Sequence, residues 1–261
     1  MNSSDLINVF IDTQTRIASS ETLRLATEES RAKSRVYDAG FTSEGKTVKS
    51  ESLNISVLEG RSFDTARRFT DGRVAVLNFA NPIKPGGGVR GGVKAQEECL
   101  CRCSNLYDVI SSEELQAPYY EWHKSNNSYS YSDKLIYSPD IKIIKDDDYG
   151  LLDAPFSVDV ITCAAPYSVY GYERESLRAT LVSRITNILE AAADNDVDTV
   201  VLGAFGCGVF RNPPDLVAEC FKEVLVTNGY YRYFKRVVFA IVNASIFDRN
   251  FGIFEQTLGH L

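Results

Sequence analysis

The stretch NFANPIKPGGGVRGGVKAQEE, residues Asn78 to Glu98, decides how the rest of the chain is read. An apolar run, Val74-Ala75-Val76-Leu77, feeds it; it holds five glycines and two prolines, and it ends in Gln96-Glu97-Glu98, where a helical pattern resumes. A strand, a ligand-cradling loop and a helix start are expected in that order. Gly86, Gly87 and Gly88 carry no Cβ to keep a ligand off the backbone, and they adopt positive φ at little steric cost. The carboxylates that follow could then reach the same ligand.

Outward from this stretch the pattern is that of a layered α/β domain. The unbroken apolarity of Val74 to Leu77 suits a strand covered on both faces. Downstream come strand Ser157 to Cys163, helix Glu175 to Asp194, strand Thr199 to Leu202, helix Pro213 to Thr227 and strand Arg236 to Val242. Such alternation predicts a mixed central sheet flanked by helices. Between these blocks, Gln96 to Ile110 reads as one helix. Lys134 to Ser138 and Ile141 to Ile144 read as two strands parted by Pro139-Asp140. Leu53 to Val57 reads as a strand, Ser62 to Phe69 as a short helix, and 111–132 as irregular. Residues 1–35 are expected to be helical and 39–52 a loop. An N-terminal helical extension over 1–52 would then pack on a core of 53–261.

In sheets of this kind ligands lie beyond the carboxyl ends of the strands. Three loops fall there: NFANPIKPGGG after Leu77, AAPYSVYGY after Cys163, and GAFGCGVF, Gly203 to Phe210, after Leu202. Two glycine-rich loops with an aromatic one beside them suit a nucleotide diphosphate. The formal G-x-G-x-x-G at Gly86 to Gly91 lacks the βαβ context of a dinucleotide site, and no G-x4-G-K-[ST] phosphate loop exists.

Composition narrows the function classes. The 261 residues carry a net charge of −7, so no global basic field draws nucleic acid or an anionic membrane. No run of 18 apolar residues occurs, and MNSSDLINVF lacks the basic and apolar regions of a secretory signal; a cytosolic protein, or a nuclear one in a eukaryote, is expected. Six cysteines in a chain this long are no disulfide framework. Cys99, Cys101 and Cys103 lack common zinc-ligand spacing and fall on an expected helix, pointing different ways, so they are read as buried thiols with no metal. With two histidines, His123 and His260, a Ser-His-Asp triad or His-rich metal site is poorly supported, and carboxylates lead as proton-transfer groups.

Asn78-Phe79-Ala80-Asn81, the triple glycine and, seven residues on, Gln96-Glu97-Glu98 resemble the GGG-x(6 to 8)-QEE signature of microbial-type poly(ADP-ribose) glycohydrolases, which are built on a macrodomain. CysLeuCysArg after the glutamates, GAFGCGVFRNPP at Gly203 to Pro214 and VVFAIV at Val237 to Val242 extend the resemblance in order and spacing. The resemblance implies a macrodomain-like three-layer fold and hydrolysis of ribose-ribose O-glycosidic bonds from chain ends. It implies poly(ADP-ribose), ADP-ribose and ADP-ribosylated proteins as partners, and no cofactor. By position, Glu98 matches the catalytic acid and Glu97 the neighbour that helps to position the ribose. Asn81 matches the asparagine that bonds the distal ribose. Gly86, Gly87 and Gly88, with Val89 and Gln96 beside them, match the segment around the scissile ribose. Gly203, Ala204, Phe205, Gly206, Cys207, Gly208 and Val209 match the diphosphate loop, and Phe210 the aromatic near the distal ribose. Val89 departs from the aromatic of many relatives, Arg90-Gly91-Gly92 from a polar-Gly-Ala stretch, and Cys103 from a common serine.

Breaking such a bond passes through an oxocarbenium-like state, and the leaving oxygen needs a proton. One acid/base glutamate, Glu98, is expected to supply it and then deprotonate the incoming water. Two other classes fit the crevice: an ADP-ribose reader without hydrolysis, and a hydrolase of mono(ADP-ribosyl) or O-acyl-ADP-ribose linkages. The intact Glu97-Glu98 pair argues against the reader.

Overall fold

The computed structural model describes residues 1–126, 130–168, 171, 173–243 and 249–261. Seven strands form one mixed sheet: β1 (Arg35–Tyr37), β2 (Ile55–Glu59), β3 (Val74–Phe79), β4 (Leu135–Lys145), β5 (Leu151–Cys163), β6 (Thr199–Leu202) and β7 (Arg236–Ile241). Their order across the sheet is β1-β4-β5-β3-β6-β7-β2. The β1/β4 and β4/β5 pairs are antiparallel, and every pair from β5 to β2 is parallel.

Alternation along the strands assigns each residue to one of two faces of the sheet. Ala75, Leu77, Val200 and Leu202 face a layer built from α8 (Arg174–Asp194), α9 (Pro214–Lys222) and α10 (Asn250–Leu258). Val74, Val76, Val158, Val160 and Val201 face the opposite layer, where α1 (Ser3–Ser19), α3 (Ser62–Ala66), α4 (Gln96–Cys103) and α5 (Leu106–Ile110) pack. Burial on both faces is why Val74 to Leu77 is apolar without a break.

The N-terminal segment is stitched to this second layer. Asn2 and Asp5 form a capping box at α1, whose Leu6, Phe10, Thr13 and Ile17 recur at helical spacing and are buried. Thr13 donates to the Arg102 carbonyl of α4 at 2.5 Å. Ser20 caps α2 (Glu21–Lys33), from which Ser30 donates to the Pro139 carbonyl and Arg31 to the Asp108 carbonyl. The chain then enters the sheet as edge strand β1.

Three elements differ from the sequence expectation. The helix expected over 96–110 breaks at Ser104, whose extended backbone bridges to Ile143, while Asn105 exchanges bonds with the Lys142 backbone. Pairing to the sheet outweighs continuation of the helix. The two strands expected around Pro139-Asp140 are one, β4, carrying a bulge: Ser138 pairs with Val160 but Ile141 with Val158. Asp140 takes positive φ there and its N–H is held by Asp159, so the ladder skips a residue without ending the strand. Residues 113–125, expected to be irregular, wind as α6 (Glu113–Leu115), a π-helical stretch (Gln116–Glu121) and α7 (Trp122–Ser125). The third loop is described only in part: 169, 170 and 172 lie outside the described residues.

Candidate active site

Beyond the carboxyl ends of β3, β6 and β7 lies a cleft of about 810 Å³. β3 pairs with β6 only as far as Val76, so the two strands part at the point where their loops leave the sheet. Gln96 takes over the missing pairing. Its Oε1 accepts from Phe79 N at 2.9 Å and its Nε2 donates to Leu77 O at 2.7 Å, so one side chain continues the ladder and fixes the start of α4 against β3. Although Gln96 borders the cleft, its amide is committed to the scaffold.

The next two residues sew the glycine loop to the same helix turn. Glu97 accepts from Asn81 N at 2.8 Å, from Gly86 N at 3.2 Å and from Asn78 Nδ2 at 3.4 Å. Glu98 Oε1 accepts from Gly88 N at 2.8 Å. Glu98 borders the cleft and is nearly buried, and its second oxygen has no donor among the described residues. Gly87 sits between the two carboxylates at φ +55°, where a Cβ would fall 2.5 Å from Glu98 Oε1 and 3.1 Å from Glu97 Oε2. Asn81 Oδ1 accepts from Ile83 N and Lys84 N, which closes the turn and leaves the side-chain NH2 for a ligand.

Burial pushes the Glu97 carboxyl from 4.5 up to about 8, and the nearby Glu98 adds to that, against the pull of the Asn81 and Gly86 amides. A half-turn of the Asn78 amide would bring its oxygen, buried with no partner, to the Glu97 proton. The folded chain therefore keeps a proton that the unfolded chain releases above about pH 4.5. This contribution to stability is fully present below pH 4.5 and is lost as the pH rises to about 8. The loss is on the order of a few kcal/mol. Urea unfolding at about pH 5 and about pH 8 checks this: Glu97→Gln should flatten the decline, and an undiminished slope would assign it to other groups.

The second loop is built differently. Internal bonds engage the N–H groups of Phe205, Cys207, Arg211 and Asn212, whereas those of Gly206, Gly208, Val209 and Phe210 donate to no described group. Gly206 turns at φ +73°, with a would-be Cβ 2.2 Å from Asn212 Nδ2 and 2.5 Å from Ala165 Cβ. Asn212 in turn holds the Pro166 carbonyl, and Ser168 clamps the Phe210 carbonyl. Arg184, buried on α8, fixes the Ala164 carbonyl of the neighbouring loop. In the first loop the amides of Gly86, Gly87 and Gly88 are all engaged internally. Free amides for an anion therefore belong to the second loop.

Of the residues singled out from the sequence, Asn81, Gly88, Gln96, Glu97, Glu98, Ala204, Gly206, Gly208, Val209 and Phe210 border the cleft. Others do not. Val89 is buried in the second core with Phe10 and Leu106, so its side chain is a packing element under α1 and no ligand contact. Phe205 is fully buried and packs on Phe79, with ring centroids 5.8 Å apart. Gly203 lies under that ring, Gly86 against Tyr107, and Cys207 against the first core. The sequence reading missed Phe79, Arg61 and the hairpin turn at Asp147 to Tyr149, all of which border the cleft. Phe79 stood in the quoted motif without a role, and nothing local marks Arg61 or the turn, since strand pairing alone brings 61 and 147 to position 98. His123 is a buried structural residue between the Tyr119 carbonyl and Ser132. Among the described residues no helix is long and apolar enough to cross a membrane.

Two family profiles match the chain: "Microbial-type PARG, catalytic domain" over residues 8–146 and "Macro domain" over residues 154–221. Among solved structures, the chain is similar to poly(ADP-ribose) glycohydrolase from Thermomonospora curvata bound to the inhibitor ADP-HPD. That pair is 29% identical, covers 97% of this chain and 99% of the other, and has a TM-score of 0.85. It is also similar to the Deinococcus radiodurans enzyme in complex with ADP-ribose, at 34% identity over 88% of this chain and 96% of that one, with a TM-score of 0.77. No curated protein sequence matches it.

Proposed function

Since the chain belongs to the microbial-type poly(ADP-ribose) glycohydrolase family, we propose that it hydrolyses the ribose-ribose O-glycosidic bonds of poly(ADP-ribose) and releases ADP-ribose. The observation that carries this reading is Glu98: a nearly buried carboxylate, held by the Gly88 amide, lining one cleft with the second glycine loop and its open amides. The second loop takes the diphosphate, which orients the distal ribose towards Glu98. Glu98 gives its proton to the departing ribose oxygen as the anomeric C–O bond breaks and the oxocarbenium ion forms. Its carboxylate then removes a proton from the water that adds to the anomeric carbon, which restores the acid. Glu97 has its oxygens turned to Asn81, Gly86 and Asn78, so it positions the loop and takes no direct part in proton transfer.

The test is release of ADP-ribose from an automodified polymerase, run beside mono(ADP-ribosyl)ated protein and O-acetyl-ADP-ribose. Polymer should be the best substrate. Binding of ADP-ribose with no release from polymer would make the chain a reader instead. The phosphate assignment has its own check: Gly206→Ala should weaken ADP-ribose binding in calorimetry by roughly 10- to 100-fold, the cost of losing one or two charge-assisted amide bonds. An unchanged Kd would remove the second loop from the phosphates.

A further inference from the structure

Helix α4 carries a second cluster of reactive groups, starting one residue beyond Glu98. Cys99 and Cys103 are four residues apart and so share a helix face, while Cys101 points elsewhere. The expectation that all three would diverge fails for this pair. The turn between β4 and β5 lays Asp147 against that face. The two Sγ atoms and an Asp147 carboxylate oxygen lie within 4.8 Å of one another. Cys99 Sγ is 3.9 Å from Asp147 Oδ1, and Cys103 Sγ is 3.1 Å from the Asp146 carbonyl. A tetrahedral zinc ion bound by two thiolates and a carboxylate needs donors about 3.5 to 3.8 Å apart. Side-chain adjustments of about 1 Å would reach that spacing.

The turn is itself fixed. Asp146 Oδ1 accepts from Asp148 N and Gly150 N, and Asp147 Oδ2 accepts from Asp64 N at 2.9 Å. Asp147 is fully buried, and its Oδ1 lies against the thiols, with the Cys99 thiol as a donor at the long distance of 3.9 Å. A divalent cation would preserve the charge balance of the cluster: two neutral thiols and a carboxylate carry −1 beside the Arg61 guanidinium, and exchange of two thiol protons for the cation leaves −1 there. Arg61 bonds the Asp147 carbonyl and lies 2.7 Å from Asp148 Oδ1. Cys99 and Asp147 border the cleft, which leaves the fourth position of a tetrahedron to water on that side. Two soft sulfurs with one oxygen select zinc-like ions over magnesium or calcium.

We propose that Cys99, Cys103 and Asp147 bind a thiophilic divalent cation of the zinc class, which staples the first turns of α4, and with them Glu98, to the β4–β5 turn. The inference does not depend on the substrate. Its test is titration of Co²⁺ into the reduced, chelator-stripped full chain. One equivalent should bind, with thiolate-to-cobalt charge-transfer absorption and the visible bands of a tetrahedral ion, and Zn²⁺ should abolish both. Cys99→Ser and Cys103→Ser should each weaken Co²⁺ binding at least the roughly 100-fold that follows loss of even an outer-shell partner, and Cys101→Ser should retain it. Far-UV circular dichroism verifies that each variant is folded, and Cys103→Ser decides the matter alone if Cys99→Ser does not fold. Absence of charge transfer in folded wild type, or a band unchanged in both serine variants, would overturn the proposal.

Discussion

Glu98→Gln should reduce release of ADP-ribose from polymer by roughly a thousandfold or more, towards the upper end of what a single acid/base group contributes. The amide oxygen of glutamine can still accept from Gly88 N, so the loop should stay in place. What it cannot do is give a proton to the leaving ribose or take one from water, and both halves of the reaction depend on the same group. ADP-ribose affinity should therefore change only a few-fold while kcat collapses. Single-turnover assays with matched calorimetry check this. A variant that keeps turnover within about tenfold of wild type would strip Glu98 of its role.

Gly87→Ala should be nearly as damaging, although residue 87 supplies no reacting group. An added Cβ would stand 2.5 Å from Glu98 Oε1 and 3.3 Å from its Cδ, and the φ of +55° is one that alanine adopts at a cost of about 1–2 kcal/mol. Either the loop moves or Glu98 does, and a displacement near 1 Å at a reacting group costs on the order of 100-fold in rate. The loss should fall on kcat, because the second loop that holds the phosphates is untouched. Gly91→Ala is the control: a Cβ there meets nothing within 4 Å, and activity should be unchanged. If Gly87→Ala retained full turnover, the contact between loop and carboxylate would not set the geometry of catalysis.

Both results turn on a feature only half visible in the sequence. The three residues Gln96, Glu97 and Glu98 read as one acidic helix start, where the helix dipole favours such residues. Folded, they divide into three tasks. Gln96 completes the β3 ladder, Glu97 ties down Asn81 and Gly86, and Glu98 is left to the cleft. The division depends on what lies opposite each side chain, and neighbouring positions on a helix turn about 100° apart face different surroundings. Val89 shows the converse. Its place in the glycine stretch marked it as a ligand contact, and α1 covers it instead.

The sequence by itself determined the layered α/β architecture and the convergence of two glycine loops at strand ends. Apolar periodicity and the placement of glycine and proline are local properties, readable wherever they occur. It also carried the resemblance that implies the candidate chemistry, because the triple glycine and Gln96-Glu97-Glu98 match the family signature and put Glu98 at the position of its acid. The tertiary structure alone decided which loop has amides to spare for phosphate, that the Glu97 carboxyl is tied to Asn81 and Gly86 while Glu98 is held, among the described residues, by the Gly88 amide alone, and that Asp147 comes to lie against Cys99 and Cys103. Each of these depends on residues brought together by strand pairing across tens of positions, where burial and hydrogen bonding, and not spacing along the chain, set the chemistry of a side chain.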